Sequence, residues 1–144
     1  MSASELYERD YYEWTMRNAE LLRSGRANEA DLANIAEELE DMGKRERRDL
    51  LNRLRVLIAH LLKWQAQPDR RSRSWQLTIR VQRKDLAGLL SENPSLEPYL
   101  KSNLPEAYER AIVEAMTETG LPESEFPSTC PFTFEVLLDP DYLP

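Results

Sequence analysis

The sequence is poor in the residues that build metal centres and tight turns, with one cysteine, one histidine and four glycines. Cys130 cannot form a disulfide within the chain, and no neighbouring cysteine or histidine would share a metal with it. We interpret it as a small buried hydrophobic residue. Scarce glycine and a charged fraction of 31% favour helices over a sandwich or barrel with many turns. The chain is therefore predicted to be all-α.

Long apolar runs are absent too. No stretch of 18 apolar residues and no signal-peptide pattern occurs, so we predict a cytoplasmic protein without a membrane partner. A length of 144 residues with ordinary apolar content suits one domain covering residues 1–144. There is no glycine-rich phosphate loop and no nucleophile elbow, so no catalytic residue is identified and an enzyme is not the favoured interpretation.

Residues 31–67 contain no proline and a single glycine, Gly43, which predicts one very long helix of about 55 Å. Its apolar residues lie three and four positions apart and fall into two sets, each expected to be a buried stripe. The sets are Leu32, Ile35, Leu39 and Met42, then Leu50, Leu54, Leu57, Leu61 and Trp64. Residues 43–49 have no apolar side chain, so a polar waist is predicted there. The sequence leaves open whether Gly43 bends the helix.

Three further principal helices are predicted over residues 4–23, 75–91 and 103–119, with a short helical element at 95–102. Gly25 follows the first of these, so that helix is expected to fold back on the long one as a hairpin. The expected register places Trp14 opposite Met42 and brings Tyr7 and Tyr11 toward Arg45 and Arg48. Residues 121–144 carry five prolines and several aromatic residues and are predicted to run extended over the bundle. The predicted fold is a single-domain helical bundle of four principal helices with a proline-rich tail.

The net charge of −7 conceals a strong segregation of charge. Residues 44–84 hold 13 basic and three acidic side chains, whereas the rest of the chain holds six basic and 23 acidic ones. The favoured interpretation is that the two parts neutralise each other inside the fold. The alternative is a basic strip that binds an anionic partner, nucleic acid included. Nucleic acid is not favoured, because no binding motif accompanies the strip and the pI is near 4.9.

His60 is the only histidine, so any histidine-based acid, base or ligand is this residue. The connection from the long helix into the next one is expected to place it in a cationic, aromatic corner. The candidate ligand or anion site comprises His60, Lys63, Trp64, Trp75, Arg80 and Arg83. Neighbouring positive charge would keep the imidazole neutral, as a base or as a hydrogen-bonding partner for an anion. The alternative, which we favour, is a histidine packed beside the leucine stripe.

A candidate acidic cluster precedes Gly43 and comprises Glu37, Glu38, Glu40 and Asp41. Carboxylates one turn apart are how metal sites on helices begin. A ferritin-like dimetal site needs Glu-x-x-His pairs, however, and Leu57 stands three residues before the only histidine. Glu38 and His60 would lie about 33 Å apart on a straight helix, too far to share a metal. No metal and no cofactor are predicted. The negative charge of this acidic face is expected to be neutralised by the arginines that follow it in the sequence.

Several longer motifs occur in order along the chain: LANIAEELEDMGKRE, HLLKWQAQP, SWQLTIRVQR, NPSLEPYL, ETGLP and FPSTCPFTFEVLLDPDYLP. In these motifs nearly the whole chain resembles the bacterial family catalogued as domain of unknown function twenty-nine. The resemblance implies a small, all-helical, single-domain protein and names no reaction. The matching positions include Trp14, Glu37, Glu38, Glu40, Gly43, His60, Leu61, Lys63, Trp75, Pro94, Leu96, Cys130 and Pro131.

The sequence contains the features expected of a folded helical bundle, whereas it contains no complete set of catalytic residues. The sequence therefore indicates an uncharacterised helical protein that acts as a non-catalytic binding or protein-interaction module, with an unknown protein partner or self-association. One alternative is a small-anion binder or enzyme that uses His60, Trp75, Arg80 and Arg83. A second alternative is nucleic-acid binding through residues 44–84.

Overall fold

The computed structural model describes residues 1–144 and contains helices and connecting segments but no strand. Seven α-helices follow one another along the chain. They are α1 (Ala3–Arg9), α2 (Tyr11–Arg23), α3 (Leu32–Ala66), α4 (Arg73–Glu92), α5 (Leu96–Ser102), α6 (Leu104–Thr119) and α7 (Phe134–Leu138). The predicted all-α class is confirmed, and so is the single very long helix, since α3 runs without interruption through Gly43.

The predicted continuous helix over residues 4–23 is wrong, because the chain breaks at Asp10. Asp10 leaves the helical region with φ −151° and ψ 88°, and its side chain accepts a hydrogen bond from the Glu13 amide at 3.1 Å. It thereby ends α1 and caps α2, which satisfies an amide that would otherwise lack a partner. Ser2 caps α1 through a reciprocal capping box with Glu5.

The chain forms two compact units, Met1–Glu46 and Arg47–Pro144, which we call unit 1 and unit 2. The boundary falls inside α3, where every residue from Met42 to Asp49 is exposed. This exposed stretch contains the polar waist predicted at residues 43–49. A single domain over residues 1–144 stays a prediction.

Unit 2 is built around one apolar core to which α3, α4, α5, α6 and the chain after α6 all contribute. The second predicted stripe of α3 is buried: Leu50, Leu54, Leu57 and Leu61 are at most 1% exposed. Leu86 from α4 and Ala111 from α6 complete the same core, as do Phe126, Phe132 and Leu137 from residues 121–144. Burial of this many large side chains is the dominant favourable contribution to folding here.

Unit 1 buries far less apolar surface. Its buried apolar residues are Ala3, Leu6, Trp14 and Leu21. Two polar residues, Asn18 and Asp31, are buried beside them. Since buried polar groups need hydrogen-bond partners, the organisation of unit 1 is set by polar contacts as much as by apolar ones.

Candidate interaction surface

A hydrogen-bonded network joins α2 to the start of α3 inside unit 1. The Trp14 indole N–H donates to Asp31 Oδ2 at 2.9 Å, and Asn34 Nδ2 donates to the same oxygen at 2.8 Å. The Asp31 amide donates to Asn18 Oδ1 at 2.8 Å. Burial opposes the charge on Asp31, but the hydrogen bonds from Asn34 and Trp14 hold the pKa of this carboxyl below its usual value.

A second group of contacts in unit 1 lies around Glu38. Tyr7 donates from its hydroxyl to one carboxylate oxygen of Glu38 at 2.6 Å, and Tyr11 donates to the other at 2.9 Å. Both tyrosine rings also pack on Trp14, with centroid separations of 4.9 Å and 5.6 Å. The hydrogen bonds to Glu38 raise the pKa of Tyr7 to about 12 and raise that of Tyr11, and they lower the pKa of Glu38.

These contacts overturn the predicted register of the hairpin, in which Trp14 lay opposite Met42 and the tyrosines faced the arginines of the waist. Trp14 instead meets Asp31, and the tyrosines meet Glu38. The reason is the hydrogen bond from the Asp31 amide to Asn18, because it makes residues 24–31 run back along α2. As a result α3 starts beside the middle of α2 rather than beside its end.

The predicted burial of the first apolar stripe on α3 is also wrong. Leu32, Leu39 and Met42 are 52%, 61% and 56% exposed, and only Ile35 is half-buried. The side of α3 that α1 and α2 cover carries Asp31, Asn34 and Glu38, so the leucine side is left to solvent. We call this surface the α3 ridge and define it as the exposed residues Leu32, Ala36, Leu39, Met42 and Gly43.

Exposed carboxylates lie beside the α3 ridge, and the exposed basic residues Lys44, Arg45, Arg47 and Arg48 follow its end at Gly43. Glu40 and Glu46 border the ridge and take part in none of the ion pairs of the chain. Unit 1 as a whole has 12 acidic and six basic residues. Of the predicted acidic cluster, only Glu38 is bound by other side chains, the two tyrosines described above. No group of three or more His, Cys, Asp or Glu side chains is arranged to hold a metal ion.

Exposed apolar side chains are concentrated in unit 1. Of the 12 large hydrophobic residues that the fold leaves exposed, eight belong to this unit. They are Met1, Tyr11, Tyr12, Met16, Leu22, Leu32, Leu39 and Met42. Leu32, Leu39 and Met42 belong to the α3 ridge, and an exposed apolar stripe bordered by charged residues is typical of a protein–protein contact.

The residues of the predicted anion site are divided between separate environments in unit 2. Lys63 is buried, lies 4.7 Å from the centroid of the Trp75 ring and pairs with Glu118 at 2.6 Å. The guanidinium of Arg71 lies 4.9 Å from the Trp64 ring centroid. His60 is half-buried, with Nδ1 2.9 Å from the carbonyl oxygen of Val56 in the preceding turn.

The two arginines of the predicted anion site lie at another place, where α4 meets the end of the chain. Arg80 is exposed, and both Arg80 and Arg83 line a cavity of about 580 Å³ that His60 and Trp75 do not line. Arg83 is buried, and its guanidinium donates to the carbonyl oxygens of Leu137, Tyr142 and Val136 at 2.9, 2.6 and 3.3 Å. Arg83 therefore anchors the C-terminal segment, and an anion site that includes it stays a prediction.

The basic segment over residues 44–84 is paired only in part. Arg53, Arg55 and Lys63 form ion pairs with acidic side chains, and the other ten basic residues of the segment form none. Much of this positive charge is therefore not neutralised by ion pairs within the chain.

None of the helices is both long enough and apolar enough to cross a lipid bilayer. No curated protein and no solved structure matches the chain. Residues 6–143 match the family model described as domain of unknown function DUF29. This match covers nearly the whole chain and confirms the resemblance carried by the motifs. The chain belongs to the DUF29 family, whose function is uncharacterised.

Proposed function

We propose that this protein is a non-catalytic interaction module that docks a partner on the α3 ridge. The observation that supports the proposal is that unit 1 exposes more apolar residues than it buries: four are buried, and eight large ones are exposed. A unit of 46 residues with so small a core is of a size that gains stability from a partner. Covering the ridge would remove Leu32, Leu39 and Met42 from water.

The partner best suited to this surface presents an amphipathic helix with basic flanks. Leu32, Ala36, Leu39 and Gly43 follow one another at steps of four, three and four residues, so they share one side of α3. A straight stripe of this kind packs against the apolar stripe of another helix. Glu40 and Glu46 beside it, in a unit with 12 acidic and six basic residues, favour Lys and Arg on that helix.

A fluorescence-anisotropy titration tests this proposal. A labelled amphipathic helical peptide with leucines on one face and lysines on the other is titrated with the full chain, and a peptide with glutamates in place of the lysines serves as the charge control. We expect the basic peptide to bind and the Leu39→Glu variant to bind it at least about tenfold more weakly.

A matched variant controls for non-specific attraction to an acidic protein. Val113 in unit 2 is 63% exposed, close to the 61% of Leu39, so Val113→Glu adds the same charge outside the ridge. This variant is expected to bind the basic peptide like the unmodified chain. Equal binding of both peptides, or equal weakening by both substitutions, would show that the ridge is not the docking surface.

A further inference from the structure

Helix α4 in unit 2 carries an exposed face of opposite charge to the α3 ridge. We call it the α4 face and define it as Arg73, Leu77, Arg80, Val81 and Lys84, all of which are exposed. Successive members lie one, three or four residues apart, and from Arg73 to Lys84 they follow one side of the helix. It thus combines two apolar side chains with three positive charges.

No ion pair within the chain neutralises the α4 face. Arg73, Arg80 and Lys84 take part in none of the seven ion pairs, and their side chains make no hydrogen bond. Leu77 and Val81 line a surface hollow of about 510 Å³. Gln82 lines the same hollow, and its Oε1 is buried without a hydrogen-bond partner. The face therefore offers apolar surface, unpaired cations and room for a projecting side chain.

We infer that the partner seated on the α3 ridge is the α4 face of a second copy of this chain. The inference rests on the proposed function and names its partner. The docking surface calls for an amphipathic helix with basic flanks, and α4 is a helix of 20 residues whose exposed face has that character. Glu40 and Glu46 of one copy meet Arg73, Arg80 and Lys84 of the other, while Leu39 packs against Leu77 and Val81.

This pairing has a consequence for the form of the assembly. The ridge and the α4 face are different surfaces, so two copies can make the contact twice, each ridge on the other copy's α4 face, or each copy can use its two surfaces on two neighbours. The first arrangement gives a closed two-fold dimer, and the second gives rings or open chains. The assembly is expected to grow with protein concentration and to shrink as salt screens the flanking charges.

Mixing two blocked variants tests the inference with the full chain. Leu39→Glu blocks the ridge and keeps the α4 face, and Val81→Glu blocks the α4 face and keeps the ridge. In sedimentation velocity each variant alone is expected to be monomeric, whereas a 1:1 mixture forms a heterodimer through the intact ridge of one chain and the intact α4 face of the other. The unmodified chain and Val113→Glu are expected to associate without any added variant, as dimers or larger assemblies.

Each other outcome is decisive. Val81→Glu alone could form a two-fold dimer that is lost when Leu39→Glu is added to the same chain. This result would show that ridges pair with each other, and it would overturn α4 as the partner. A monomeric unmodified chain at every concentration also overturns the inference, and if the basic peptide still binds the ridge, the proposed function stands. Absence of both peptide binding and the heterodimer, with circular dichroism showing folded variants, removes both.

Discussion

The two halves of α3 have residues at the same helical spacing but differ in burial. In the first half Leu32, Ala36, Leu39 and Gly43 are spaced four, three and four residues apart and are exposed. In the second half Leu50, Leu54, Leu57 and Leu61 have the same spacing and are buried. The sets are offset by 18 residues, which is about five turns at 3.6 residues per turn. The spacing therefore decides which residues share a face, and neighbouring elements decide whether that face is covered.

The elements that pack against the two halves of α3 differ in the polarity of their side chains. In unit 2 the second half of α3 meets leucine, alanine and phenylalanine side chains from α4, α6 and the C-terminal segment. In unit 1 α1 and α2 approach with two tyrosine hydroxyls and an indole N–H, and these bind the polar side of α3. Unit 2 is thus held by apolar burial, whereas unit 1 is held by hydrogen bonds and aromatic contacts.

The largest expected difference between the two halves concerns the leucines themselves. Leu57→Ala should lower the free energy of unfolding by about 2–5 kcal/mol, because it opens a cavity in a fully buried site. Leu39→Ala should change it by no more than about 0.5 kcal/mol, because Leu39 is exposed. Urea denaturation followed by circular dichroism measures both. Similar losses for the two variants would mean that the ridge is already covered in solution.

A medium effect is expected at the indole hydrogen bond of unit 1. Trp14→Phe keeps a ring in place but removes the donor to Asp31, which should cost about 1–3 kcal/mol. Trp64→Phe is the matched control, because the Trp64 indole makes no hydrogen bond and its ring still packs on Arg71. Chemical denaturation of both variants compares them. An equal loss for the control would contradict a special role for the hydrogen bond.

The smallest expected effect is the pH dependence that the contacts of Glu38 add in unit 1. The tyrosine hydroxyls lower the pKa of Glu38 below its usual value of 4.5, so the stability that this contact adds is present above that pH and is lost as the pH falls through the lowered pKa. Tyr7 has a pKa raised to about 12, so its share is complete below pH 10 and is lost as the pH rises through about 12.

Carboxyl-carbon NMR titration measures the first of these shifts directly. The Glu38 pKa should lie below 4.5 in the unmodified chain and should rise when Tyr7→Phe and Tyr11→Phe are combined. The phenylalanine rings of this double variant can still pack on Trp14, as the tyrosine rings do in the unmodified chain. A Glu38 pKa that does not respond to the loss of both hydroxyls would place the cause elsewhere.

Local pattern was enough to predict α3, the buried stripe from Leu50 to Leu61 and the exposed waist, because each depends on residues close in sequence. The break at Asp10 was missed, since a short acidic residue is compatible with an exposed helix surface as well as with a cap. The register of unit 1 depends on a bond between Asn18 and Asp31, which no periodicity reveals.

The role of Arg83 was equally out of reach of the sequence. An arginine near the end of a basic run suggests a ligand, but its three acceptors are carbonyl groups more than 50 residues later in the chain. Tyr7 and Tyr11 gave a weak signal, because a continuous helix would place them one turn apart on one face, whereas the structure places them on α1 and α2. Nothing local indicated that this face would meet a carboxylate.

The exposed stretch from Met42 to Asp49 makes one further property of the molecule predictable. Few side chains support its helical turns: Arg47 lies over the Tyr99 ring, and Asp49 pairs with Arg53. The stretch also contains Lys44, Arg45, Arg47 and Arg48. Within α3, a brief trypsin digest should therefore cut the chain here first and release fragments that end close to the boundary at Glu46.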